Sequence, residues 1–261
     1  MPFAPIQSEK VSTAVRKQIE ALILQGVLRP GERLPAEREL AARMEVSRPT
    51  VREALAELEE RALITVRPGG GAFVAEVLGS AFSPPLIELF ATQEAALFDY
   101  IEFRRDLEGL AAARAAERAT TADRALIRSV FARMLEAHGE RSFAKEAEID
   151  TEFHMAVVEA AHNVVMLHMM RSLYELLRRG VFYNRSVIYA EQNSRDTLLD
   201  QHRAIHDAVI AGDAAAARAA SEAHLDFIQI HLAAANRVRT REEIAKLRQE
   251  QEKRMTGGRP L

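Results

Sequence analysis

The stretch from Pro35 to Thr65, PAERELAARMEVSRPTVREALAELEERALIT, narrows what this chain can fold into more than any other. It reads as two short helices around a turn, running into a β-prone end. The first helix spans about Ala36 to Met44 with Leu40 and Ala41 facing inward, and Glu45-Val46 makes the turn. Ser47 suits an N-cap because its hydroxyl accepts an orphan backbone N–H. Pro49 falls in the first helical turn, where a missing N–H costs little. Val51, Ala54, Leu55 and Leu58 then recur at the spacing of a buried face. Arg48 and Arg52, four apart, sit side by side off that stripe, near the helix start where a recognition helix meets base edges.

Alone, the segment equally describes an amphipathic helix pair with solvated arginines. The residues just C-terminal to it are more specific. Ile64-Thr65-Val66 and Ala72-Phe73-Val74 are β-prone runs separated by Arg67-Pro68-Gly69-Gly70-Gly71. This is a hairpin whose glycine tip can approach a phosphate backbone closely. Helix, turn, helix and hairpin together make a winged helix-turn-helix.

Ahead of it, Ser12 to Gln25 is a helix with Val15, Ile19, Leu22 and Ile23 on its apolar face, ended by Gly26. Residues 28–35 form a turn and a short extended piece. The first domain is therefore 8–75, and 76–85, with two prolines and two serines, is a linker. From there the chain is helix-periodic: a short helix near Leu86–Phe90, then Leu97–Ala119, Ala122–Ala137, Phe143–Ala161, Val164–Tyr189, Arg195–Ala211 and Asp213–Val238. Long helices with short loops make an antiparallel bundle over 86–238. Residues 239–261 read as a charged, disordered tail with a frayed helical start. The expected fold class is mainly α: an N-terminal winged helix-turn-helix with a small β-hairpin and a C-terminal all-α antiparallel helical bundle. A composition of 48 % hydrophobic and only 6 % aromatic residues agrees with this.

With no cysteine, disulfides, thiolate metal sites and thiol catalysis are excluded. No run approaches the roughly 18 apolar residues of a membrane span, and the N-terminus has no signal-peptide core, so a cytoplasmic protein without a membrane partner is expected. The net charge of −3 argues against nucleic acid, and residues 1–75 carry 11 Lys and Arg against 10 acids, only +1. DNA affinity must come from placement: Arg38, Arg43, Arg48 and Arg52 fall within fifteen residues, and phosphate neutralisation depends on such clustering.

The bundle carries polar residues that a core does not need. Asp150 and His154 project from one helix face, His202 lies on the penultimate helix and His224 on the last. Three imidazoles and a carboxylate suit a first-row divalent metal with positions left for water or ligand. His206 rivals His202 one turn on, and spacing alone leaves that choice open. An Asp/His₃ metal could also activate water in a hydrolase, or be purely structural. Against the hydrolase, no nucleophile–base pair accompanies the site, and Glu148 and Glu152 lie about 200° round the helix from Asp150.

The segment RPGERLPAERELAARMEVSRPTVREALAELEERALITVRPGGGAFV resembles the winged-helix domain of the GntR family of bacterial transcription regulators. YIEFRRDLEGLAAARAAERAT, DTEFHMAVVEAAHNVVMLHMMRSL and QHRAIHDAVIAGDAAAARAASEAHLDFI resemble the FCD ligand-binding domain of its FadR subfamily, in the branch of the pyruvate-dehydrogenase-complex and L-lactate-utilisation repressors. The likeness spans roughly residues 10–235. It implies that Arg38, Arg48 and Arg52 touch operator DNA, with Thr50 and Gly70 assisting. It implies metal ligands at Asp150, His154, His202 and His224, preferring His202 over His206, with zinc first and nickel or manganese next. Arg104 and Arg185 become candidates to clamp a small carboxylate effector bidentately; the other reading of both is a structural salt bridge, to Glu108 or to acids of neighbouring helices. The resemblance further implies a homodimer on a palindromic operator. A 2-hydroxy or 2-keto acid such as lactate, glycolate or pyruvate would relieve repression.

Overall fold

A computed structural model describes residues 10–67, 69–75, 82–178 and 192–257. The chain divides into two compact units, the residues up to Ser83 with Leu167–Ser172, and Pro84–Met166 with the residues from Leu173 on.

Besides Leu167–Ser172, the first unit holds α1 (Val11–Leu24), α2 (Glu37–Arg43), α3 (Arg48–Glu60), β1 (Ile64–Arg67) and β2 (Gly71–Val74). Val15, Ile19 and Ile23 of α1, Leu40 and Ala41 of α2, and Val51, Ala54, Leu55 and Leu58 of α3 close one core with Leu34, Ile64 and Val74. Ser47 caps α3, its Oγ accepting from the Thr50 N–H at 3.3 Å, with Pro49 in the first turn. Glu45 takes the left-handed turn conformation between α2 and α3 at φ 53°. The strands pair antiparallel with Ile64 opposite Val74 and Arg67 opposite Gly71. The extended piece before α2 joins them: Leu34 N–H donates to Ala72 O at 2.8 Å and Val74 N–H to Glu32 O at 2.9 Å.

The second unit comprises α4 (Pro84–Thr92), α5 (Glu94–Arg118), α6 (Thr121–Glu140), α7 (Phe143–Ala160), the ends of α8 (Val164–Arg178), α9 (Gln192–Ala211) and α10 (Ala214–Gly257). Its helix ends carry their own signals. Thr120 and Asp123 form a reciprocal capping box on α6. Asn163 Oδ1 accepts from Met166 N–H at 3.0 Å, and Asp213 Oδ1 from Ala216 N–H at 2.9 Å. α5 packs on α7, α9 and α10, which brings these four helices together. Small residues make that approach possible: Ala111, Ala112, Ala115 and Ala116 of α5 are fully buried. At Gly109 a Cβ would come within 2.9 Å of Glu222 on α10. Phe131, Phe153, Ile127, Ile205 and Val209 fill the interior between α6, α7 and α9.

Several helix ends fall about three residues from those the periodicity predicts. Residues 179–189 of the expected Val164–Tyr189 helix lie outside the described residues. Two differences have a plain physical reason. α4 starts on the prolines assigned to the linker, because proline is pre-set for a helical first turn; residues 76–81 lie outside the described residues. The break expected after Val238 is not there, and α10 continues to Gly257. Apolar periodicity fades past Leu232, but the residues are strong helix formers without proline, and Arg239–Glu243 and Glu242–Lys246 pair four apart along it. No helix among the described residues is long and apolar enough to cross a membrane.

Because residues 240–250 are all exposed, this extension stands on its own turns. Ending the chain at Arg239 should shift the melting temperature of the bundle by less than about 2 °C while removing a proportionate part of the helical circular dichroism. A larger fall in scanning calorimetry would show that the extension packs on something.

Candidate metal centre and DNA-reading surface

On α7 the apolar line Ile149, Phe153, Ala156, Val157 faces the core, and Asp150 and His154 lie beside it, drawn inward with it. Both are 4 % exposed, while His202 of α9 and His224 of α10 are 1 % and 0 %. One ligand atom from each of the four lies within 4.8 Å of all the others. Asp150 Oδ1 is 3.0 Å from His202 Nε2 and 3.8 Å from His154 Nε2, and the two Nε2 atoms are 3.2 Å apart. A tetrahedral ion with bonds of about 2.1 Å separates its ligand atoms by about 3.4 Å. The observed separations straddle that figure.

The outward nitrogens explain the tautomers. His202 Nδ1–H donates to Leu198 O at 2.6 Å, and His224 Nδ1–H donates to Gln201 Oε1 at 3.0 Å. His154 Nδ1 lies 2.9 Å from Glu108 Oε2, an ion-pair contact whose ring N–H is out of line with the oxygen. With each Nδ1 facing an acceptor, each Nε2 presents a lone pair inward. Nε2 of His224 is buried without a hydrogen-bond partner. Three imidazoles and a carboxylate converging in one buried place fit a cation, and the outer acceptors are those that orient ligating imidazoles. Phe153 stands edge-on to His154 and His202, walling one side.

Charge follows from this packing. Burial disfavours protonated His202, outweighing Asp150, and holds its pKa below the ordinary value. For His224 burial, then His202 and His154, push it further down. Burial alone would raise Glu108, but Arg104 and His154 together outweigh it and hold the carboxyl well below the usual range.

Arg104 is 0 % exposed. Its Nε donates to Glu108 Oε1 at 2.7 Å and its Nη2 to the Tyr174 hydroxyl at 3.0 Å. The salt bridge to Glu108 is therefore formed, which places Arg104 one carboxylate away from His154. Arg185 lies outside the described residues. His206 stacks on Phe131 at 4.6 Å and pairs with Asp207, so it is His202 that joins the cluster. Glu148 is exposed and Glu152 pairs with Arg133 at 2.6 Å, so neither serves the centre. Sequence reasoning missed Gln201 and the buried Glu146–Arg195 pair; Glu146 lines a cavity of about one water's size that borders His202. Gln201 adjoins His202 and Glu146 lies one turn before Asp150, but polar residues at helical spacing carry no mark of burial.

In the first unit Arg38, Arg48 and Arg52 are exposed and Thr50 is half-buried, its hydroxyl 2.8 Å from Ser47 Oγ. Gly70 sits at the hairpin turn with its N–H on Arg67 O at 2.9 Å.

A winged helix-turn-helix followed by a helical bundle is the architecture of a DNA-binding protein with a second, helical domain. Residues 11–74 match "Bacterial regulatory proteins, gntR family" and residues 99–227 match the FCD domain. The chain is 37 % identical over 223 residues to the "Putative L-lactate dehydrogenase operon regulatory protein" of Escherichia coli K12, covering 84 % of this chain and 85 % of that one. It is 33 % identical to the "Glc operon transcriptional activator" of the same organism over 85 % of this chain and 89 % of that one. Streptococcus agalactiae GntR shares the fold, with a TM-score of 0.53 at 24 % identity over 84 % of this chain and 99 % of that one. This chain belongs to the gntR family and carries an FCD domain: it is a DNA-binding transcriptional regulator and not an enzyme.

The depressed imidazole pKa values set a pH dependence. Unfolded histidines take up protons as pH falls below about 6.5, whereas buried His202 and His224 resist, so the folded state loses stability there. Glu108 acts in the same direction below about 4.5, where its unfolded form protonates first. Metal-stripped protein should show a melting temperature level at and above neutrality that falls steadily below pH ~6.5. A flat profile down to acid pH would contradict a buried neutral cluster.

Proposed function

We propose that operator affinity in this regulator is switched by a small carboxylate bound at a divalent metal in the bundle, zinc before nickel or manganese. The observation that carries the reading is the convergence of Asp150, His154, His202 and His224 while each Nδ1 faces an outer acceptor. Asp150, His154, His202 and His224 would hold the ion, which when bound supplies a Lewis-acidic point for a carboxylate oxygen.

The local charges favour a monoanion. Asp150 and Glu108 contribute two negative charges and Arg104 one positive, so with a dication the buried group retains about one positive charge. A 2-hydroxy or 2-keto acid answers it and presents two oxygens; lactate, glycolate and pyruvate are the first candidates, and the relative named for an L-lactate dehydrogenase operon supports that class. Arg104 orients such an anion from beyond Glu108, and Arg185 is a second clamp. The ligands come from α7, α9 and α10, so an occupant ties three helices together at one point.

On DNA, Arg48 and Arg52 at the start of α3 face base edges, with Arg38, Thr50 and the Gly70 wing tip on the backbone. A homodimer on a palindromic operator, releasing DNA when the acid binds, is the arrangement this reading adopts. A metal that only locks the bundle is the alternative.

Titrating lactate, glycolate and pyruvate against metal-loaded and metal-stripped protein separates the two. Ligand binding confined to the loaded form supports the switch, and loss of folding on stripping supports the structural metal. Replacing His202 with Ala should abolish stoichiometric metal by mass spectrometry and blunt the response to the acid, leaving effector-free operator binding nearly intact. Replacing Arg52 with Ala should weaken operator binding by about 1–3 kcal/mol and random-duplex binding far less; equal losses on both duplexes would make Arg52 a phosphate contact.

A further inference from the structure

Arg52 is not a loose side chain on the recognition helix. Its Nη2 donates to Glu37 Oε2 at 2.9 Å and its Nε to Glu37 Oε1 at 3.3 Å, a two-point pair spanning α3 and the first residue of α2. Glu37 also lies in the field of Arg48, so one carboxylate serves both arginines that are four apart on this face.

An acid here requires an explanation. The Arg52 side chain is 68 % exposed and Glu37 is 35 % exposed, and exposed ion pairs contribute little to stability. The domain through residue 75 carries only one net positive charge, and a carboxylate at its DNA face repels phosphate. The geometry supplies the reason. A guanidinium has two two-donor edges, and Glu37 occupies the one made by Nε and Nη2. The end formed by Nη1 and the second Nη2 hydrogen points away from Glu37, and it is the edge that meets guanine O6 and N7. A flexible four-bond side chain is thereby presented in one orientation before DNA arrives, so less rotamer freedom is lost on binding.

We infer that Glu37 is a positioning residue for DNA recognition: it holds Arg52 edge-outward on α3 and so converts a general cation into a sequence-reading one. This rests on the reading of Arg52 as a base contact, and the experiment separates the two.

Effector-free, full-length protein is titrated with its operator duplex, selected from a random pool, and with a scrambled duplex of equal length. Glu37→Ala and Glu37→Gln should weaken operator binding about five- to tenfold while leaving scrambled-duplex binding unchanged or tightening it slightly. In an Arg52→Ala background the same changes should no longer weaken operator binding, because the side chain they act through is gone. Equal tightening on both duplexes would overturn the inference, leaving Glu37 as a mere repulsive charge. An undiminished loss in the Arg52→Ala background would also overturn it, since Glu37 would then touch DNA itself. If Arg52→Ala alone leaves operator binding unchanged, the base-reading assignment falls first and the inference with it. Normal Arg52→Ala loss beside neutral Glu37 variants removes only the inference.

Discussion

The second unit depends on how it tolerates a connected set of buried ionisable groups in an alanine- and leucine-rich interior. Glu108, Arg104, Asp150, His154, His202 and His224 are all nearly or fully buried. An unsatisfied buried polar group costs about 1–3 kcal/mol, more when charged, so such a set persists only if its members answer one another. Around the rim they do. Arg104 neutralises Glu108, Glu108 faces His154, Leu198 O takes His202, and Gln201 takes His224. In the middle, Nε2 of His224 is buried without a hydrogen-bond partner, and the inward-facing groups suit a cation. Alanines and Gly109 on α5 allow the neighbouring helices close enough for this.

The rim also links the two halves of the proposed sensor. Arg104 pairs with Glu108, so a change in what the guanidinium holds alters the carboxylate beside His154. An anion at Arg104 and an ion at the proposed metal centre would thus need no separate relay, because both would share Glu108. That residue is a single helical turn from Arg104, which keeps the coupling within one rigid element.

The DNA-binding unit works under the opposite restriction. It has hardly any net charge, so orientation has to substitute for quantity. The hydroxyls of Ser47 and Thr50 lie within hydrogen-bond reach of each other at the start of α3, and Glu37 holds Arg52 across from α2. Ion pairs of this kind do little for stability, and their value lies in directing donors.

Much of this is legible in the residues. The stripe Val51, Ala54, Leu55, Leu58, the Ser47 cap and the glycine hairpin are local, repeating patterns that survive folding unchanged, and each stands where the spacing predicts it. Asp150 and His154 are legible as a pair because four residues return a helix to the same face. The end of α10 departs from the expected boundary because fading apolar periodicity marks the loss of a buried face, not the loss of helix. What only the tertiary structure decided is which groups meet across helices: His202 and not His206 beside Asp150, Glu108 and Gln201 behind the imidazoles, Glu37 against Arg52. Local propensity acts along the chain, over a few residues. A contact between residues far apart in the chain is set by helix rotation and packing distance, which no single segment encodes.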